Sequence, residues 1–218
     1  MTYDTYIFDL DGTLLDTLGD LATSVNYALR THHLPEHTVD EVRRMVGNGV
    51  RLLIERAVPD GDCNPLFDNV FSVFRQHYLE HSLDTTRPYE GIPEMLAALK
   101  QCGCRIAVVS NKFDTATKSL CRHFFPNTVD VAIGENEVAG IRKKPAPDTV
   151  RAALRQLGVG EGGRAVYVGD SDVDIMTARN SGLPCISVLW GFRDREFLLS
   201  HGATTFVSRP EELLTNNE

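Results

Sequence analysis

The chain has 218 residues, 42% hydrophobic and 24% charged, with 30 acidic against 22 basic side chains and a formal charge of −8. That length suits one domain, or a core domain carrying a modest insertion, and it can bury a core without disulfides or a structural metal. The acidic balance excludes a general affinity for nucleic acid or an anionic membrane, leaving only a local basic site open.

The start, Met1-Thr2-Tyr3-Asp4, has neither a basic n-region nor an apolar h-region, so no secretory signal is expected. The first predicted element is a short buried strand, Tyr6-Ile7-Phe8, which turns polar at Asp9 and breaks at Gly12. Next, Leu18, Leu21, Ala22, Val25 and Leu29 recur at helical spacing until Pro35. Thr38-x-x-Glu41 is a capping box opening a helix through Val42, Met45 and Val46 to Gly47. Leu66, Val70, Val73, Phe74 and Tyr78 mark a further helix beginning near Pro65. No convincing strand interrupts this stretch, so residues 16–87 read as an inserted all-helical unit.

From Tyr89 the pattern alternates. A helix from Ile92 to Leu99 leads to a strand, Ile106 to Val109, ending at Ser110. A helix over Asp114 to Phe124 precedes a strand over Val129 to Ile133, and a helix over Val150 to Leu157 stops at Gly158. Strand Val166-Tyr167-Val168 ends at Gly169-Asp170, and a helix near Asp174 to Asn180 ends before Gly182. Ile186 to Leu189 and Thr205 to Val207 are short strands with a helix between them. Repeated strand–helix units predict an α/β fold with a doubly wound parallel sheet, formed by residues 1–15 and 88–218. No run of eighteen apolar residues exists to cross a membrane. The five cysteines lack zinc-like or C-x-x-C spacing and are expected to be reduced, mostly buried thiols of a cytoplasmic protein.

Two patterns carry no chemistry. Gly158-x-Gly160-x-x-Gly163 precedes a strand instead of following one, so it does not read as a dinucleotide loop. Asp170-x-Asp172-x-Asp174 begins like an EF-hand, but Ile175 and Ser181 stand where the turn glycine and bidentate Glu belong.

In a sheet of this kind, ligands bind beyond the carboxyl ends of the strands. Those ends carry Asp9 and Asp11, Ser110 and Asn111, and Asp170 to Asp174. Turns favour Asp and Gly, yet that preference does not explain acidic groups at two strand ends together with Lys144. Several converging carboxylates call for a hard cation, and oxygen donors suit Mg2+. A phosphate brought to such a cation would want a lysine and hydroxyl or amide donors, which Lys144, Ser110 and Asn111 supply.

In Asp9-Leu10-Asp11-Gly12-Thr13-Leu14, Ser110-Asn111-Lys112, Lys144-Pro145-x-Pro147-Asp148 and Gly169-Asp170-Ser171-x-x-Asp174, the sequence resembles the haloacid dehalogenase (HAD) superfamily, in its phosphoglycolate phosphatase-like branch. The resemblance spans nearly the whole chain and implies a core with a helical cap after the first motif. It further implies that Asp9 is the nucleophile that becomes an aspartyl-phosphate and Asp11 the general acid and base. Ser110 and Asn111 would bind the transferring group, and Lys144 would balance charge. Lys143 is adjacent, but Lys144 directly precedes Pro145. Asp9, Asp170 and the main-chain oxygen of Asp11 would hold Mg2+, with Asp174 supporting its water shell. Thr13, Asn111, Lys112, Gly47, Asn48 and Arg51 are candidates for binding the substrate, and Arg51 or Arg193 for reading a substrate carboxylate.

The expected function is therefore a Mg2+-dependent phosphomonoesterase acting on a small phosphorylated substrate, with 2-phosphoglycolate favoured. Its rivals are an inorganic pyrophosphatase, a sugar-phosphate phosphatase or mutase, and an inactive binding protein on the same fold. No nucleic-acid or membrane partner is expected, and the oligomeric state is not legible.

Overall fold

The structure is a computed structural model that describes residues 3–136, 140–160 and 163–215. Met1 and Thr2 of the amino-terminal stretch lie outside the described residues. The chain divides into two compact units, Met1–Leu15 with Pro88–Glu218, and Asp16–Arg87.

The chain begins with β1 (Thr5–Phe8) and leaves through β2 (Leu15–Asp16) into four helices. These are α1 (Leu18–Thr31), α2 (Val39–Met45), α3 (Val50–Ala57) and α4 (Phe67–His81), with a 3-10 turn at Gly61–Cys63. The predicted capping box opens α2: the Glu41 N–H donates to Thr38 Oγ1, and Glu41 Oε2 accepts from the Thr38 N–H. The sequence reading passes over α3, although Val50, Leu53, Ile54 and Ala57 are buried at helical spacing. Leu18, Leu21, Ala22, Val25 and Leu29 of α1 are buried, as are Val70, Phe74 and Tyr78 of α4. One buried carboxylate ties the ends of this unit. Asp20 Oδ1 accepts from the Thr85 N–H (2.9 Å) and hydroxyl (2.6 Å), and Oδ2 from the Thr86 N–H (2.9 Å).

The return strand is β3 (Arg87–Pro88), which pairs with β2 as a two-stranded sheet. Such two-residue strands carry no alternation to read, hence their absence from the sequence prediction. There follow α5 (Ile92–Gln101), β4 (Arg105–Phe113), α6 (Asp114–Phe124), β5 (Val131–Glu135), α7 (Asp148–Gln156) and β6 (Ala165–Gly169). The chain then forms α8 (Asp172–Ser181), β7 (Cys185–Val188), α9 (Arg195–Ser200), β8 (Phe206–Val207) and α10 (Glu212–Thr215).

The expected parallel α/β sheet is present: six strands in the order β5-β4-β1-β6-β7-β8, each pair parallel. Its strands alternate between two buried faces. Tyr6, Phe8, Ile106, Val108, Val166 and Val168 belong to one core, and Ile7, Ala107, Val109 and Tyr167 to the other.

Several boundaries differ from expectation by a residue or two, and the end of β4 by more. Strand β5 starts two residues later than Val129, and β4 runs past Ser110 to Phe113. Between Val109, opposite Ile133, and Phe113, opposite Glu135, the β4 register shifts, so Ser110, Asn111 and Lys112 sit in a bulge. Polar residues at that point read as a turn, but their side chains are buried. Of the five cysteines, Cys63 and Cys102 are exposed instead of buried. Among the described residues, no helix is long and apolar enough to cross a membrane.

Candidate active site

Register sets the site. Phe8 pairs with both Val108 and Val168, so the residues that follow on the three central strands emerge at one level. The Asp9 N–H donates to the Val168 carbonyl (2.9 Å), which brings Asp9 level with the end of β6. Beyond it stand Ser110 to Lys112 of β4 and Asp170 after β6.

Asp9, Asp170 and Asp174 are all buried and can bring carboxylate oxygens within 4.8 Å of one another. Lys144 is the ammonium among them, with Nζ 2.8 Å from Asp9 Oδ1, 2.8 Å from Asp174 Oδ1 and 3.1 Å from the Tyr167 hydroxyl. One positive charge against three carboxylates leaves negative charge over. Burial and the Asp174 charge lift the Asp9 carboxyl well above the usual carboxylate range, against the pull of Lys144. Burial, then Asp174, pushes Asp170 up to about 7. Burial alone would lower the Lys144 pKa, but the charges of Asp174 and Asp9 outweigh it and raise it. Hard oxygen donors with surplus negative charge fit a divalent cation.

The carboxylates differ in what they have left to offer. Asp174 Oδ1 accepts from Lys144 and from the Tyr167 hydroxyl (2.9 Å). Its Oδ2 accepts from the N–H groups of Asp170 and Ser171 and from the Ser171 hydroxyl (2.6 Å). It sits in the first turn of α8, where a carboxylate is favoured by the helix N-terminus. Asp174 is thus saturated and braces the loop that carries Asp170. Asp170 accepts from the Thr13 hydroxyl (3.1 Å) and the Phe192 N–H (2.7 Å). Its surroundings admit no side chain at two glycines. A Cβ at Gly12 (φ +87°) would lie 2.4 Å from Asp170 Oδ2, and one at Gly191 would lie 2.3 Å from the Asp170 Cβ.

Asp11 stands apart from that cluster. Lys112 Nζ lies 2.8 Å from its Oδ1, and the Ser110 hydroxyl donates to its Oδ2 (3.3 Å). Asn111 turns to Lys144: its amide donates to the Lys144 carbonyl (3.0 Å) and accepts from the Lys144 N–H (2.7 Å). The expected phosphate-binding groups Ser110, Asn111 and Lys112 are therefore engaged with Asp11 and the Lys144 backbone. Thr13 is engaged with Asp170.

Gly47, Asn48 and Arg51 belong to the helical unit. There Asn48 accepts from Arg56 (2.8 Å). Arg51, half-exposed, lies 4.0 Å from Asp68 and over the Phe67 ring at 4.7 Å. Tyr167, whose hydroxyl joins Lys144 to Asp174, has no counterpart among the sequence candidates. A tyrosine inside an apolar strand gives no sign of the partner its hydroxyl will find. Trp190, in the Trp190 to Arg193 stretch that the sequence places after a strand end as a candidate lining of the site, donates its indole N–H to the Thr13 carbonyl (2.9 Å).

The model of one protein family, haloacid dehalogenase-like hydrolase, matches residues 6–188. The chain is 35% identical to a phosphoglycolate phosphatase of Aquifex aeolicus, over 95% of this chain and 93% of that protein. It is 32% identical to an N-acetylmuramic acid 6-phosphate phosphatase of Pseudomonas aeruginosa, over 95% of this chain and 92% of the relative. The crystal structure of a candidate phosphoglycolate phosphatase from Lactobacillus delbrueckii subsp. bulgaricus is similar at TM-score 0.92 and 37% identity, covering 98% of this chain and 97% of that one.

Proposed function

The chain belongs to the haloacid dehalogenase-like hydrolases, and from that membership we propose that it is a Mg2+-dependent phosphomonoesterase converting 2-phosphoglycolate to glycolate and phosphate. The observation that carries this reading is the asymmetry of Asp9. The Leu10 N–H (2.7 Å) and Lys144 (2.8 Å) both engage Oδ1, while Oδ2 accepts no hydrogen bond from the described residues. A carboxylate pinned through one oxygen presents the other as a nucleophile.

Asp9 and Asp170 are the side chains proposed to hold the cation, with the main-chain oxygen of Asp11. The bound cation would offset the negative charge of the carboxylates and of the phosphoryl oxygens. Asp9 Oδ2 attacks phosphorus, and the bond to the alcohol oxygen breaks as Asp11 gives that oxygen a proton. Water then attacks the aspartyl-phosphate, giving its proton to Asp11, and orthophosphate leaves with Asp9 restored. Lys144 keeps Asp9 oriented and offsets charge throughout. Positioning and charge stabilisation are what phosphoryl transfer asks of a protein.

The identity to the Pseudomonas aeruginosa relative favours a sugar phosphate as the second reading. The test is phosphate release from 2-phosphoglycolate, N-acetylmuramic acid 6-phosphate, hexose phosphates, pyrophosphate and an aryl phosphate, with Mg2+ and with chelator. The expected result is highest kcat/KM on 2-phosphoglycolate, dependence on Mg2+, and no turnover or acid-stable phosphoenzyme in Asp9→Asn. Preference for another member of the panel would replace the substrate. Turnover by Asp9→Asn would overturn the mechanism.

A further inference from the structure

Residues two apart on a strand face the same side, and Ser110 and Lys112 of the β4 bulge both reach Asp11. The contact is directional. The Lys112 N–H donates to Ser110 Oγ (3.1 Å), so the serine's own proton is turned toward Asp11 Oδ2. The Lys112 ammonium takes the other oxygen, Oδ1, at 2.8 Å. Both oxygens of one carboxylate are thereby gripped from β4, which fixes the plane of the carboxyl as well as its place.

The local backbone is shaped for this grip. Opposite the bulge, a Cβ at Gly134 would lie 2.4 Å from the Asp114 Cα and 2.7 Å from the Lys112 carbonyl oxygen, so only glycine lets the bulge come this close. Bulges commonly re-aim side chains beside reactive centres.

We propose that Lys112 is a positioning residue: with Ser110 it aims the Asp11 carboxyl at the leaving oxygen, and it does not itself hold the substrate. The proposal rests on Asp11 being the general acid and base. The Lys112 side chain is 2% exposed, which gives it almost no surface to offer a ligand. A buried ammonium needs an anion beside it, and Asp11 supplies one. This departs from the sequence expectation that Lys112 binds substrate.

Lys112→Met, Asp11→Asn and the double variant are assayed on 2-phosphoglycolate, whose alkoxide needs a proton, and on p-nitrophenyl phosphate, whose leaving group does not. Misplacing a catalytic group costs about 10- to 100-fold in rate. Lys112→Met should lose kcat by that order on 2-phosphoglycolate, less on the aryl ester, with KM changed less than about threefold. It should add nothing to Asp11→Asn, because a residue acting only through Asp11 is silent without it. A raised KM with kcat retained would mean direct substrate binding and would overturn the proposal. Equal losses on both esters, additive with Asp11→Asn, would also overturn it. If Asp11→Asn itself slows both esters alike, the acid–base reading falls and the proposal with it. If Asp11→Asn discriminates and Lys112→Met does not, the proposal falls alone. Should Lys112→Met fail to fold, Lys112→Gln keeps a polar donor and is judged by the same criteria.

Discussion

The side-chain amide of Asn111 and the peptide of Lys144 bond each other in both directions, at 3.0 Å and 2.7 Å. The pair fastens the Lys144 loop to the end of β4, so the ammonium that steadies Asp9 is aimed by a neighbour on a different strand. Asn111→Ala removes both bonds and leaves a buried peptide group unpaired. A loss of about 1–3 kcal/mol in stability is expected, with kcat falling more than KM rises. Unchanged kcat in a variant whose denaturation midpoint has dropped would show that Lys144 does not need this fastening.

Asp170 predicts how stability follows pH. Burial, reinforced by Asp174, raises its pKa from the ordinary 3.8 to about 7. A raised carboxyl favours the folded state when protonated. Its contribution is present below the unfolded value and is lost as pH rises through about 7. Chelator-treated protein should therefore lose thermal stability between pH 5 and pH 8. Mg2+, competing with that proton, should raise Tm more at pH 8 than at pH 5. Equal Mg2+ shifts at both values would contradict this assignment.

Gly191 leaves no room for added bulk beside Asp170, a proposed ligand of the cation. An alanine Cβ would meet the Asp170 Cβ at 2.3 Å and the Gly12 carbonyl oxygen at 2.4 Å. Gly191→Ala should displace Asp170 and weaken Mg2+ by about 10- to 100-fold, the usual cost of disturbing a ligand's support. Mg2+ titration of activity measures it; an unchanged midpoint would mean that Asp170 is not a ligand.

Tyr167→Phe keeps the ring in its strand and deletes the hydroxyl that bridges Lys144 and Asp174. Those two remain paired at 2.8 Å, so the expected loss is modest, about 1–2 kcal/mol of stability. Activity should fall several-fold, through kcat. Complete inactivation would show the hydroxyl to be part of the chemistry.

Arg51→Ala tests the sequence expectation that Arg51 reads a substrate carboxylate. KM for 2-phosphoglycolate should rise far more than for an aryl phosphate without a carboxyl, since a charge-assisted pair is worth about 1.5–3 kcal/mol when dry. Equal changes would remove Arg51 from substrate recognition.

What could be read beforehand follows from how each feature is encoded. Tyr6-Ile7-Phe8 and Val166-Tyr167-Val168 are short apolar runs ending in Asp9 and in Gly169-Asp170, so the strands and their acidic ends are local in sequence. The Thr38 capping box is equally local. The grip of Lys112 on Asp11 and the tie between Asn111 and Lys144 join segments far apart in the chain. Residue type alone admits other partners, and phosphate binding is a natural guess for a lysine and an asparagine beside a serine. The continuation of β4 through Ser110-Asn111-Lys112 was hidden for a related reason. Polar residues are read as leaving a strand, whereas here their polar groups are satisfied by Asp11 and the Lys144 backbone.

Asp20 carries a consequence for how the molecule is assembled. By holding the Thr85 and Thr86 backbone from the start of α1, it makes the helical unit a detour that ends where it begins. The entropy of joining the first strand to the rest of the sheet is then set by a short splice and not by the length of the excursion. The sheet can be completed as though β1 were followed by a tight connection. Excursions of other sizes could hang from the same two crossings without retuning a single strand register, leaving the sheet edge and its acidic cluster untouched by whatever the excursion becomes.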